Sequence, residues 1–138
     1  MNSELIEAAL SVYGSNYKEE FSAGCDVEIP ENANWCGVFC GYLLSELGHK
    51  LPPNPQVARS YLKIGEPVDE PAIGDLVVFW RGRGRTDWRG HVSIFIREVD
   101  NWIYCLGGNQ QGKVQIVRYR KNRLLGYRRI STVQKSAL

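Results

Sequence analysis

Hydrophobic patterning predicts an α+β fold, with N-terminal helices packed on one side of an antiparallel sheet of about five strands. Two observations carry this. Before residue 50, apolar residues recur at helical spacing in two segments. From Leu76 onward they form short runs rich in Val, Ile, Phe, Trp and Tyr, divided by turn residues.

In chain order, the spacing predicts a first helix over 3–13. Ser3 is its N-cap, Glu4 lies in its first turn, and Leu5, Ala8, Ala9 and Val12 share one face. Residues 14–33 are polar, contain glycine and show no period, so they read as a loop wrapping toward the next helix; a loop of that length often lines a site. The central helix runs over about 35–47, with Asn34 as N-cap, a largely apolar body and Gly48 closing it. Leu51-Pro52-Pro53-Asn54-Pro55 is an extended connector, because three prolines exclude a helix. Gln56 to Ile64 reads as a short third helix closed by Gly65. Strands are then expected at Leu76–Trp80, His91–Arg97, Trp102–Leu106, Val114–Tyr119 and Leu125–Ile130. Residues 81–90, with three glycines among arginines, form a loop, and Asp100-Asn101 has hairpin-turn chemistry.

A chain of 138 residues suits one domain with a fair-sized core, read here as residues 1–138 with its main body at about 34–130 and a frayed tail at 131–138. Its 43% apolar and 23% charged residues are those of an ordinary globular protein. The net charge of +2 is too small to imply nucleic acid, and the arginine clusters at 81–89 and 118–129 read first as solvated faces. No apolar run is long enough for a membrane span, so no membrane association is expected. The N-terminus lacks the pattern of a signal peptide, so synthesis in the cytoplasm is expected, whatever the later destination. Four cysteines occur, Cys25, Cys36, Cys40 and Cys105. In a reducing compartment these read as thiols. No zinc-type pairing with His49 or His91 appears, so no structural metal is expected.

The stretch Asn34-Trp35-Cys36 places a thiol in the first turn of a buried helix. Unpaired N–H groups and the helix dipole there favour negative charge, so the position is expected to lower the thiol pKa. The alternative is that Cys36 is a small core residue, as most free cysteines are. A thiol hydrolase also needs an imidazole and a polar group to orient it. His91 opens a strand after Gly90, and the next strand ends in Leu106-Gly107-Gly108-Asn109-Gln110. Asn109 is the natural partner of one ring nitrogen, leaving the other to face Cys36. Helix cysteine, strand histidine and next-strand asparagine together resemble the layout of papain-like cysteine peptidases.

Further motifs narrow the resemblance. Trp35-Cys36, Gly74-Asp75-Leu76-Val77-Val78-Phe79-Trp80, Gly90-His91-Val92, Leu106-Gly107-Gly108-Asn109-Gln110 and Leu124-Leu125-Gly126-Tyr127-Arg128-Arg129 resemble the compact NlpC/P60 and CHAP group, most of all its small phage- or prophage-type members. The resemblance implies the papain-like NlpC/P60 fold and a peptidoglycan hydrolase that cuts an amide bond in the stem peptide, or between that peptide and the sugar. Cys36 is then nucleophile, His91 general base and acid, and Asn109 orienter, with no metal or cofactor. Trp35, Trp88 and Gln110 are expected at the substrate, and Arg83, Arg85 and Arg89 at stem-peptide carboxylates. The partner implied is peptidoglycan, with the chain acting on the cell wall after release or export, as a monomer and without nucleic acid; an immunity or lysis partner is left open. The chain departs from many CHAP members in having glycine where they have glutamate near Asn109. It also has Glu31, Asn32 and Asn34 where they carry an upstream glutamine, which leaves the Cys36 backbone N–H as the expected oxyanion donor. The competing classes are a non-catalytic cell-wall or nucleic-acid binding module, and a papain-like peptidase or transferase with another substrate.

Overall fold

The computed structural model describes residues 1–132; residues 133–138 of the expected tail lie outside the described residues. It is an α+β arrangement of three helices, α1 (Ser3–Leu10), α2 (Lys18–Gly24) and α3 (Cys36–Glu46), and six strands. The strands are β1 (Glu66–Val68), β2 (Leu76–Trp80), β3 (Gly90–Val99), β4 (Trp102–Gln110), β5 (Lys113–Arg120) and β6 (Leu124–Arg129). They form one antiparallel sheet in the order β1-β6-β2-β3-β4-β5. Among the described residues, no helix is long and apolar enough to cross a membrane.

Four local departures from the sequence expectation are seen. Residues 14–33 are not wholly loop: α2 forms there, burying Phe21 against Trp35, Phe39 and Tyr42. The sixth strand, β1, pairs only with β6 at the sheet edge, where Pro67 is tolerated. The cap of α1 is Asn2 rather than Ser3; its side chain accepts the Leu5 N–H and donates to the Ile130 carbonyl, tying the chain start to its last strand. The expected third helix is a 3-10 segment over Ala58–Lys63.

Helix α3 is buried on nearly every side, from Cys36 to Gly41 and at Leu43 and Leu44, as a helix apolar all round must be. Its end is closed by Gly48 at φ +80°, with the Gly48 N–H on Ser45 and the His49 N–H on Leu44. One face of the sheet, with Leu76, Val78, Val92, Ile94, Leu106 and Val114, packs against the helices. The opposite face carries a smaller cluster of Val77, Phe79, Phe95, Ile103, Cys105 and Tyr127.

Two glycines set how closely α3 is held. A Cβ on Gly108 would lie 2.6 Å from the Phe39 Cβ and 2.8 Å from Trp35, so β4 touches the helix only because that position is bare. A Cβ on Gly37 would lie 2.6 Å from the Pro55 carbonyl oxygen, where the proline-rich connector crosses the helix start. Tyr61 ties this crossing together, its buried hydroxyl lying within hydrogen-bond distance of the Gly37 and Pro55 carbonyls.

Overpacking at the contact of α3 with the sheet is therefore expected to be costly. Gly108→Ala should destabilise the chain by about 1–3 kcal/mol. Gly126→Ala, where the added carbon would sit an ordinary 3.4 Å from Leu62, should cost less than about 1 kcal/mol. Urea unfolding of the two variants beside the parent protein measures the difference.

Candidate active site

The first turn of α3 opens into a cavity of about 540 Å³. Cys36 lines it with Asn34, Ile29 and Pro30 from the preceding segment, Val57 and Ala58 at the start of the 3-10 segment, and Arg81, Trp88 and Arg89 from the β2–β3 connection. The segment before α3 thus lines this cavity. Cys25, Cys40 and Cys105 lie elsewhere in the core, and all four cysteines are free and buried.

Asn34 shapes the helix start, though from one residue further out than expected. The N-cap position is held by Trp35, while the Asn34 Oδ1 accepts the Cys36 backbone N–H at 3.0 Å. The same oxygen accepts the Asn109 Nδ2 N–H at 3.0 Å, joining α3 to the end of β4. This corrects two expectations. The Cys36 N–H is occupied and is not a free oxyanion donor, and Asn109 serves Asn34 rather than His91.

The partner of His91 is Gln110. The His91 Nε2 lies 2.9 Å from the Gln110 Oε1, which also accepts the Ser93 hydroxyl at 2.9 Å. The Gln110 Nε2 donates to the carbonyls of Cys105 and Gln115, so its amide is held from both ends. The switch from Asn109 to Gln110 follows from a bulge. Gly107 pairs with Gln115 and Gln110 with Lys113, so β4 uses three steps where β5 uses two. Asn109 is the turned residue, at φ +55°, a conformation asparagine tolerates better than most side chains. Past the bulge the side-chain alternation inverts, which sends Asn109 to the helix side and Gln110 to the side of His91.

His91 is fully buried, its ring 4.7 Å from Tyr119 and 6.5 Å from Phe79. Its Nδ1 does not bond the thiol; it lies 3.2 Å from the Arg81 Nη2. A guanidinium only donates, so Nδ1 carries the lone pair and Nε2 carries the proton given to Gln110. The ring is a neutral base with its basic nitrogen capped by Arg81. Burial, then the Arg81 charge, push its pKa down to about 3, against a smaller raising effect from Gln110.

Burial also decides the state of Cys36. It raises the thiol pKa, outweighing the lowering effects of the Val92 N–H, the Arg81 charge and the N–H groups at the helix start. The lowered thiol pKa expected from the helix start is therefore not what the closed site shows: both groups rest neutral. Cys36 meets β3 at the Val92 backbone, and Arg81 is the charged group acting on both Cys36 and His91.

Of the other expected binding residues, Trp88 lies on the cavity wall and is 74% exposed. Trp35 is buried against Phe21 and Gly108 and is core. Arg89 reaches the cavity but is paired with Asp87 at 2.8 Å. Arg85 donates to the Leu124 carbonyl, and neither Arg85 nor Arg83 lines the cavity. The whole arginine loop is anchored by Arg59, which donates to the carbonyls of Gly84, Arg85 and Arg89. The second cluster is likewise engaged within the chain. Arg118 and Arg120 lie over the Trp102 ring, Arg123 lies over Trp80, and Arg129 pairs with Asp75. Arg81 is the site residue that sequence reasoning passed over, and Asn34 was read as the helix cap and not as the partner of Asn109; nothing in their spacing marks these contacts. Among the described residues, no group of three or more His, Cys, Asp or Glu side chains could hold a metal ion.

No family model matches the chain, and no curated protein matches it.

Two outcomes are expected. Because folded His91 titrates near 3 and an unfolded histidine near 6.5, the unfolded chain binds the extra proton between these values. Its contribution to stability is therefore complete above about pH 6.5 and falls by up to ~1.4 kcal/mol per unit as the pH drops toward 3. Urea unfolding from pH 7 to pH 4 should show this slope, and His91→Phe should flatten it by that amount. Second, Gln110→Ala should disturb His91 more than Asn109→Ala does, read from the imidazole NMR shifts of the folded variants.

Proposed function

We propose that this chain is a cysteine-nucleophile amidase or peptidase of the papain-like NlpC/P60 and CHAP type, acting on peptidoglycan. The observation that supports it best is that Arg81, which lines the same cavity as the helix-start Cys36, reaches the Nδ1 of His91, an imidazole held by Gln110. In this reading the thiol proton passes to the His91 Nδ1, and the thiolate attacks the substrate carbonyl carbon. The imidazolium then protonates the leaving amine, and water releases the acyl group by the reverse proton path.

The orienting role assigned to Asn109 passes to Gln110. Asn109 becomes a positioning residue that holds Asn34. Since the Asn34 Oδ1 already accepts two N–H groups, its Nδ2 is the donor end left to meet an oxyanion beside Cys36, taking the place of the upstream glutamine that many CHAP members carry. Peptidoglycan as substrate rests on the motif resemblance together with a cavity that carries an exposed tryptophan and arginines at its wall. The protein would act on the cell wall after release or export.

Digestion of purified peptidoglycan, with the new ends identified by mass spectrometry, tests the reaction and names the bond. The parent protein should release amide-cleaved fragments. Cys36→Ala should release none while keeping its fold. Cys40→Ala, one turn deeper and off the cavity, should retain hydrolysis and lose about 1–2 kcal/mol of stability. An active Cys36→Ala protein beside an inactive, folded Cys40→Ala protein would exclude the assignment of the nucleophile.

A further inference from the structure

Arg81 has no counter-ion among the described residues. Arg81 is half-buried on the cavity wall beside Cys36, and among the described residues no carboxylate pairs with it, in contrast to Arg89 on Asp87 and Arg129 on Asp75. Its partners are neutral, the His91 Nδ1 and the Tyr119 hydroxyl. A partly dehydrated cation held only by neutral groups is poorly compensated. A planar fork of donors facing a cavity matches a carboxylate, and charge-assisted bonds of that kind are roughly twice as strong as neutral ones.

We infer that Arg81 receives a carboxylate of the substrate, next to the carbonyl that Cys36 attacks, and that this engagement draws the guanidinium off the His91 Nδ1. The inference rests on the thiol-hydrolase reading above and adds the substrate's chemical class to it. The geometry makes the two events exclusive: while Arg81 caps Nδ1, the lone pair that must take the Cys36 proton is in use. A carboxylate on the fork releases that lone pair, and the proton then moves from the Cys36 Sγ to Nδ1. An acyl substrate with a free carboxylate is thus favoured over the same substrate with a carboxamide.

Alkylation of Cys36 tests the carboxylate preference without any peptide. Iodoacetate and iodoacetamide differ in that one group, and glutathione supplies the ratio of their rates for an open thiol. Peptide mapping of the parent protein should show an iodoacetate-to-iodoacetamide rate ratio at Cys36 at least about tenfold above that of glutathione. Arg81→Gln should return to the glutathione ratio, and Arg81→Lys, which keeps the charge but not the fork, should fall between. A parent ratio equal to that of glutathione, a raised ratio that persists in Arg81→Gln, or no labelling of Cys36 by either reagent overturns the proposal. Stem peptides differing only by carboxylate or carboxamide near the cleaved bond should show the same order in kcat/KM. Loss of peptidoglycan cleavage alongside an Arg81-dependent alkylation ratio would remove the proposed substrate and leave the carboxylate site standing.

Discussion

The contact of α3 with the sheet is the constraint on which the rest of the structure depends. Phe39 and Trp35 press on β4 where Gly108 has no side chain, and this close approach brings the helix start down onto the strands. Cys36 then meets the backbone of β3 at Val92. The connector through Pro55 and Tyr61 locks the other side of the same helix turn, using Gly37 in the same way. A helix held so tightly by backbone-level contacts leaves the thiol little freedom, which is the preorganisation the proposed nucleophile would require.

Burial has an electrostatic consequence. Desolvation disfavours the thiolate at Cys36 and the imidazolium at His91 alike, so the closed site stores both groups in their neutral forms. The helix start and the Val92 N–H oppose this at Cys36 without prevailing. What breaks the symmetry is Arg81, a charge close to both and satisfied by neither. The site is organised around a cation on its wall more than around a preformed ion pair, and an anion entering the cavity would meet that cation first.

The remaining arginines show why counting charge was a poor guide to binding. Arg59 uses its donors to hold the 81–90 loop, Arg129 is held by the buried Asp75, and Arg118 and Arg120 flatten onto Trp102. In each case the guanidinium fork does structural work on carbonyls, a carboxylate or an aromatic face. Gathering these groups within the chain leaves Arg81 distinct by its chemistry, although the sequence presents it as one arginine among several.

The sequence by itself determined the α+β class, the buried character of α3, the five longer strands, and the positions of Cys36 at a helix start and His91 at a strand start. Each of these is written in local periodicity, in caps or in turn residues, which act over a few positions. It did not reveal α2, whose short amphipathic turn makes sense only once Phe21 has Trp35, Phe39 and Tyr42 to pack against. Nor did it reveal β1, an edge strand interrupted by Pro67 that pairs with residues some sixty positions away. Tertiary structure alone decided the roles of Asn109 and Gln110. One extra residue in β4, with Asn109 at φ +55°, inverts the side-chain alternation just before the hydrogen bond to His91 is made. It also decided that Arg81, rather than Arg83 or Arg85, reaches the imidazole, because that depends on where the β2–β3 hairpin twists and where Arg59 pins the loop. Local rules choose which elements form; bulges and long-range contacts choose which side chain of an element faces the chemistry.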